Sequence, residues 1–129
     1  MRIDYEYLGE IFNIFLESER PTANWNDFKD IIGDDEHKFV FHIEIMVDRF
    51  LIASTLENGS IGIMRTNSGY AVGIVEWRLT AEGHDFAAAL TKPSILDTIK
   101  GKFQQEGLSA VIDIAKKIVS KQAERLLEE

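Results

Sequence analysis

Residues 25–56 read WNDFKDIIGDDEHKFVFHIEIMVDRFLIASTL, and the punctuation inside this run decides the fold. From Trp25 to Ile32 a short helical segment offers Phe28, Ile31 and Ile32 to a core, and Gly33 ends it. Asp34-Asp35-Glu36 then sets acids at the positive N-terminal end of a further helix that reaches about Phe50. Its core-facing stripe is Phe39, Val40, Ile43, Met46, Val47 and Phe50. Beyond it Leu51 to Leu56 is β-prone and reads as a strand. Two helices joined by a tight turn thus feed directly into a strand.

On the N-terminal side, Asp4 caps a first helix running to about Ser18, with Tyr5, Leu8, Ile11, Phe12, Phe15 and Leu16 on one broad apolar face. Pro21 ends it by disfavouring helical geometry in Arg20. On the C-terminal side, Asn58-Gly59-Ser60 and Asn67-Ser68-Gly69 are turns. They separate a short extended piece, Ile61 to Arg65, from a longer strand, Tyr70 to Leu79. Thr80 caps a helix over Ala81 to Leu90. Pro93 and Ser94 start another segment, Ile95 to about Gln105, and Gly107 separates it from an amphipathic last helix, Ser109 to about Leu127. The order predicts an α+β chain: a winged-helix-like domain over residues 1–91, with three helices and a small antiparallel hairpin or sheet, and a C-terminal helical extension over 92–129.

At 129 residues the chain has the length of one domain, with 45% hydrophobic and 28% charged residues. No apolar run approaches the roughly 20 residues a membrane span needs, and the N-terminus enters an amphipathic pattern at once rather than a signal peptide. There are no cysteines, which excludes disulfides, thiolate chemistry and cysteine-ligated zinc. A cytoplasmic protein without membrane contact is expected. The net charge of -8 is unevenly spread: residues 1–58 carry thirteen acids against five bases, and residues 59–129 balance. All the excess negative charge lies in the half that would meet DNA.

The run Trp77-Arg78-Leu79-Thr80-Ala81-Glu82-Gly83-His84-Asp85-Phe86 resembles the Leu-Thr-x-x-Gly-His-Asp-Phe signature of the uncharacterised family known as domain of unknown function 2513. Met1-Arg2-Ile3-Asp4, Phe41-His42-Ile43 and Gly107-Leu108-Ser109 are also similar to that family, so the resemblance spans nearly the whole chain. It implies a winged-helix-type fold in a family whose members are often phage- or prophage-borne, and it implies no activity. A looser likeness to winged-helix transcription regulators rests on Leu-Thr-x-x-Gly following the wing. The motif also has a structural reading of its own. Thr80 caps a helix, Gly83 lets another backbone approach, Phe86 faces the core with Trp77 and Leu79 before it, and His84 and Asp85 point about 100° apart and serve as polar contacts rather than as a catalytic pair.

A winged helix reads DNA with the outer face of its third helix, using Arg, Lys, Asn or Gln on base edges. Here that face has Phe41 and Ile45 at its centre, with acids at its margins. Cations for phosphate contacts are few, whereas specific duplex binding commonly uses on the order of 6–10 of them. Phe41 and Ile45 are therefore expected under protein, either the chain's own C-terminal helices or a second copy, each burial contributing roughly 1.5–3 kcal/mol. The last helix, with Val111 and Ile118 in its stripe, packs on the same chain or forms a dimer seam. Its lysines are either a solvated face or a contact for an acidic partner, including the acidic first half of another subunit.

Nothing in the sequence builds an active site. His37 and His42 stand five apart, not the four that pairs zinc ligands on a helix. Asp34-Asp35-Glu36 and Glu128-Glu129 lack the alternation of a calcium loop, and Gly59-Ser60-Ile61-Gly62 is not a nucleophile elbow. No catalytic, cofactor-binding or metal-binding residue is expected. The chain reads as a non-enzymatic interaction module, partnered by a protein or by itself as a homodimer. The alternative is a DNA-binding regulator of the same fold using Lys38, His42, Arg49 and Arg65.

Overall fold

A computed structural model describes residues 1–128; Glu129, the end of the C-terminal extension and of its acid pair, lies outside the described residues. Helix α1 spans Tyr5–Glu17, and the Asp4 carboxylate accepts from the Tyr7 N–H at 3.1 Å to cap it. A single 3-10 turn, Trp25–Phe28, leads into α2, Lys29–Ile32. Asn24 and Asp27 form a reciprocal capping box at its start. Helix α3 covers Glu36–Asp48, with Asp35 capping it through the Lys38 N–H at 3.1 Å.

Four short strands follow: β1 Ile52–Ser54, β2 Ile63–Thr66, β3 Gly69–Val72 and β4 Trp77–Leu79. The pairing is antiparallel and separates into two ladders, β1 with β4 and β2 with β3. Ala23, between α1 and the 3-10 turn, adds a bridge to Trp77 through two backbone hydrogen bonds of 2.8 and 2.7 Å. Strand β4 is therefore flanked by Ala23 on one edge and by β1 on the other. Three helices complete the chain: α4 Ala81–Leu90, α5 Pro93–Lys102 and α6 Leu108–Glu128.

Two of the expected strands are interrupted. The predicted Tyr70–Leu79 strand divides into β3 and β4, and Ile61–Arg65 pairs only from Ile63 onward. The cause is a bend where the Gly73 N–H donates to the Gly62 carbonyl at 2.8 Å. Gly62 has φ +79, and a Cβ there would overlap the Gly73 carbonyl and the Val75 side chain. Past this bend the β2–β3 hairpin leaves the β1–β4 ladder and turns over α3.

The core is aromatic. The Phe28 ring packs 5.3 Å from Phe15, 5.2 Å from Phe39 and 6.0 Å from Trp77, while Phe12 meets Phe86 edge-on at 5.5 Å. Trp77 is fully buried and still satisfied, its indole N–H donating to the Ile61 carbonyl at 3.0 Å. Leu16, expected on the core face of α1, is instead exposed, because α1 buries a narrower stripe through Tyr5, Leu8, Ile11, Phe12 and Phe15. No helix among the described residues is long and apolar enough to cross a membrane.

Candidate functional site

The surface that decides between the two expectations is the outer side of α3. Successive turns of that helix present His37, Phe41, Glu44, Ile45 and Asp48, and the β2–β3 hairpin lies along one flank of the row. The Tyr70 hydroxyl sits 2.8 Å from Nδ1 of His37, with the two rings edge-on at 5.3 Å. Both terminal nitrogens of Arg65 donate to the Glu44 carboxylate, at 2.7 and 2.5 Å. This pairing holds the Arg65 guanidinium above its ordinary pKa. Between these clasps Val40 is buried, and Val47, a turn beyond Glu44, is half-buried. Phe41 and Ile45 are both half-buried, Ile45 against the core and Phe41 edge-on to the His42 ring at 5.1 Å.

The hairpin meets this side of α3 at His37 and Glu44, whereas Ile45 packs against the chain's own core. From α6, Ser109 reaches the end of α3 and accepts from Arg49 at 3.3 Å.

The four residues of the DNA-reading alternative are all engaged. Lys38 pairs with Asp4 at 3.1 Å and lies 4.6 Å over the Tyr7 ring. Arg65 holds Glu44, and Arg49 bonds Ser109. His42 corrects the sequence reading outright: only 1% exposed, it has no face to offer a base or a phosphate. Its Nε2 accepts from the Asp4 N–H at 2.9 Å and its Nδ1 donates to the Lys38 carbonyl at 2.7 Å. Those two bonds fix a neutral ring, and burial pushes its pKa below 6.5. The Tyr7 ring lies 4.9 Å away, its phenol pushed up to about 12 by burial and by Asp35, Glu10 and Asp4. The cluster of Asp4, Tyr7, Lys38 and His42 ties the start of α1 to α3. Sequence reading missed it because Asp4 lies 34 residues from Lys38 and 38 from His42.

The Trp77–Phe86 run is a joint between sheet and helix. Thr80 Oγ1 accepts from the Gly83 N–H at 3.0 Å and donates to the Phe50 carbonyl at 2.6 Å, while the Thr80 N–H donates to the Leu51 carbonyl at 3.0 Å. A Cβ on Gly83 would overlap that same Leu51 carbonyl. Leu79 and Phe86 are buried beside Trp77. His84 and Asp85 are both exposed, His84 beside Arg20 and Arg78, and Asp85 in a groove that α4 shares with Lys116 of α6.

Of the last helix's candidates, Val111 is fully buried in the chain's own core and so forms no surface for a second subunit, while Ile118 is half-buried. Ala123 and Leu126, which continue the same stripe, are exposed because α6 outruns α4. A second polar network also escaped the sequence. Glu76 accepts from Thr22 at 2.9 Å and from Asn24 at 2.6 Å, with Arg20 at 3.6 Å, and so locks the Ala23 bridge. The Asn24-x-x-Asp27 spacing was the available signal. Among the described residues no group of three or more His, Asp or Glu side chains converges to hold a metal.

No protein-family model, curated protein or solved structure matches this chain.

Proposed function

We propose that the chain is a non-enzymatic protein-interaction module on a winged-helix frame. Support for the frame comes from the order of elements: helix, bridge residue Ala23, the 3-10 turn with α2, helix α3, then β1, hairpin and β4, with β4 central between Ala23 and β1. The resemblance of the Trp77–Phe86 run to the uncharacterised family points the same way, and on that reading the module serves a phage or prophage in the cytoplasm.

The observation that carries the functional part is the clasp of Arg65 on Glu44. A DNA reader needs its wing cation and the outer flank of its third helix free for phosphates and base edges. Here the wing folds back and neutralises itself on that flank, on a half-chain with thirteen acids against five bases. A surface of that sign repels a polyanion rather than steering it.

The test is a fluorescence titration of mixed-sequence duplex at low salt, alongside Phe41→Ser and Ile45→Ser variants followed by mass and thermal stability. The reading predicts no saturable duplex binding and a lowered stability or altered mass for the variants. Duplex affinity that falls with salt and is lost in Arg49→Ala and Arg65→Ala would instead establish the regulator.

A further inference from the structure

Helices α5 and α6 enclose a groove whose floor is apolar and whose rim is cationic. Phe103, Ile114 and Ile118 are half-buried along it, and Lys102, Lys117 and Lys121 stand exposed at its edges. Among the described residues no carboxylate lies within ion-pairing distance of these three lysines, although the chain as a whole is at -8. Ile118 continues the stripe of Val111, seven residues on, and like Phe103 packs partly against the core, while Ile114 and Lys121 stand at the margin of that stripe beside the groove. The groove is thus the half-covered outer edge of the stripe that α6 uses in its own fold.

The complementary surface is on the same chain. The outer ridge of α1 carries Glu6, Glu10 and Glu17, with Ile14 half-buried beside them. Glu6 is bound by Lys100 of α5 at 2.9 Å, whereas Glu10 and Glu17 have no ion-pair partner among the described residues. Ridge and groove flank α5 on its two sides. Lys100 reaches across one side to α1, and Thr98 and Lys102 wall the groove on the other.

We propose that the groove receives the α1 ridge of a second copy of this chain. A two-fold axis over α5 would let each copy give its ridge and receive its neighbour's, which closes the assembly as a dimer. Acid meets base at the rim, while Ile14 lies towards Phe103 and Ile118 at the centre. The proposal rests on the chain being a protein-interaction module and names its partner. A nucleic-acid backbone would use the lysines and leave the apolar floor idle.

The experiment is sedimentation equilibrium on the full chain, with charge reversal on each side: Lys117→Glu with Lys121→Glu in the groove, and Glu10→Lys with Glu17→Lys on the ridge. All four positions are exposed, so circular dichroism melts should show both double variants folded. The wild-type chain should be dimeric near 0.05 M salt and shift towards the 14.7 kDa monomer near 0.5 M, as screening weakens the rim. Each double variant alone should be at least about tenfold weaker, and an equimolar mixture of the two should recover the wild-type mass, because every contact is again acid on base. A monomer at all concentrations, a dimer indifferent to both reversals, or a mixture that fails to recover overturns the proposal. Any of these outcomes leaves the interaction-module reading standing unless the duplex titration also succeeds.

Discussion

Arg65 on β2 and Glu44 on α3 are 21 residues apart in sequence and form a two-bond, fork-on-carboxylate pair that fastens the hairpin to the helix. The Arg65 side chain is 68% exposed and that of Glu44 33%, so solvent screens the pair and it contributes little to global stability; it sets where the hairpin rests. Changing Arg65→Ala with Tyr70→Phe removes both clasps. Amide exchange across residues 63–72 should accelerate while the melting temperature barely moves, since the core is untouched. Unchanged exchange would mean that the hairpin is held by other contacts.

His42 makes stability pH-dependent. Burial and the Lys38 ammonium disfavour its protonation, outweighing the Lys38 carbonyl and the Asp4 carboxylate, which favour it; the Tyr7 ring also faces it. Its folded pKa lies below 6.5, so the unfolded chain takes up a proton first. Stability should therefore be level above that value, fall as pH drops through it, and level again below the folded pKa. At Asp4, burial raises the carboxyl pKa, but the Tyr7 N–H and Lys38 outweigh it and hold the group below 3.8. That contribution is present above 3.8 and is lost as pH falls through the folded value, so a second decline follows at lower pH. Urea midpoints from pH 8 to pH 3 check both limbs, and His42→Gln should remove only the upper one.

Gly83→Ala tests the sheet-to-helix joint. The added methyl would collide with the Leu51 carbonyl, and the backbone on either side is held by Thr80. A loss of about 3 kcal/mol is expected in urea denaturation, against well under 1 kcal/mol for Ala at the open Gly107.

Phe50 ends α3 in a left-handed conformation, φ 57, with the Leu51 N–H donating to the Met46 carbonyl and the Phe50 N–H to that of Val47. This is the Schellman closure, in which glycine is the favoured residue. The ring is 76% exposed, so little packing is lost with it. Phe50→Gly should stabilise the chain by about 1 kcal/mol, measured by thermal melts.

Helix starts were legible because their caps are local: Asp4, Asp35 and Thr80 each bond an N–H three residues on. Gly62 and Gly73 marked turns or strand bends in the hairpin, but two glycines among β-prone residues do not say that the ladder changes partner there. Periodicity located Phe41 and Ile45 as a second apolar side of α3 but could not name the neighbouring element. The hairpin's hold on the nearby Glu44 comes from a return across 21 residues, beyond the reach of periodicity. His42 looked like a contact residue on a helix wheel; its burial depends on Asp4, 38 residues away. Leu126 shows the converse, an apolar stripe that outlasts the helix it packs on.

The chain's own hairpin already occupies the outer flank of α3 at His37 and Glu44. Amide chemical-shift mapping with a mixed-sequence duplex addresses it residue by residue. His37, Glu44, Arg65 and Tyr70 should stay unmoved at low salt, with cross-peaks between the His37 and Tyr70 rings persisting. Shifts concentrated on those four residues, with the ring cross-peaks lost as duplex is added, would contradict it.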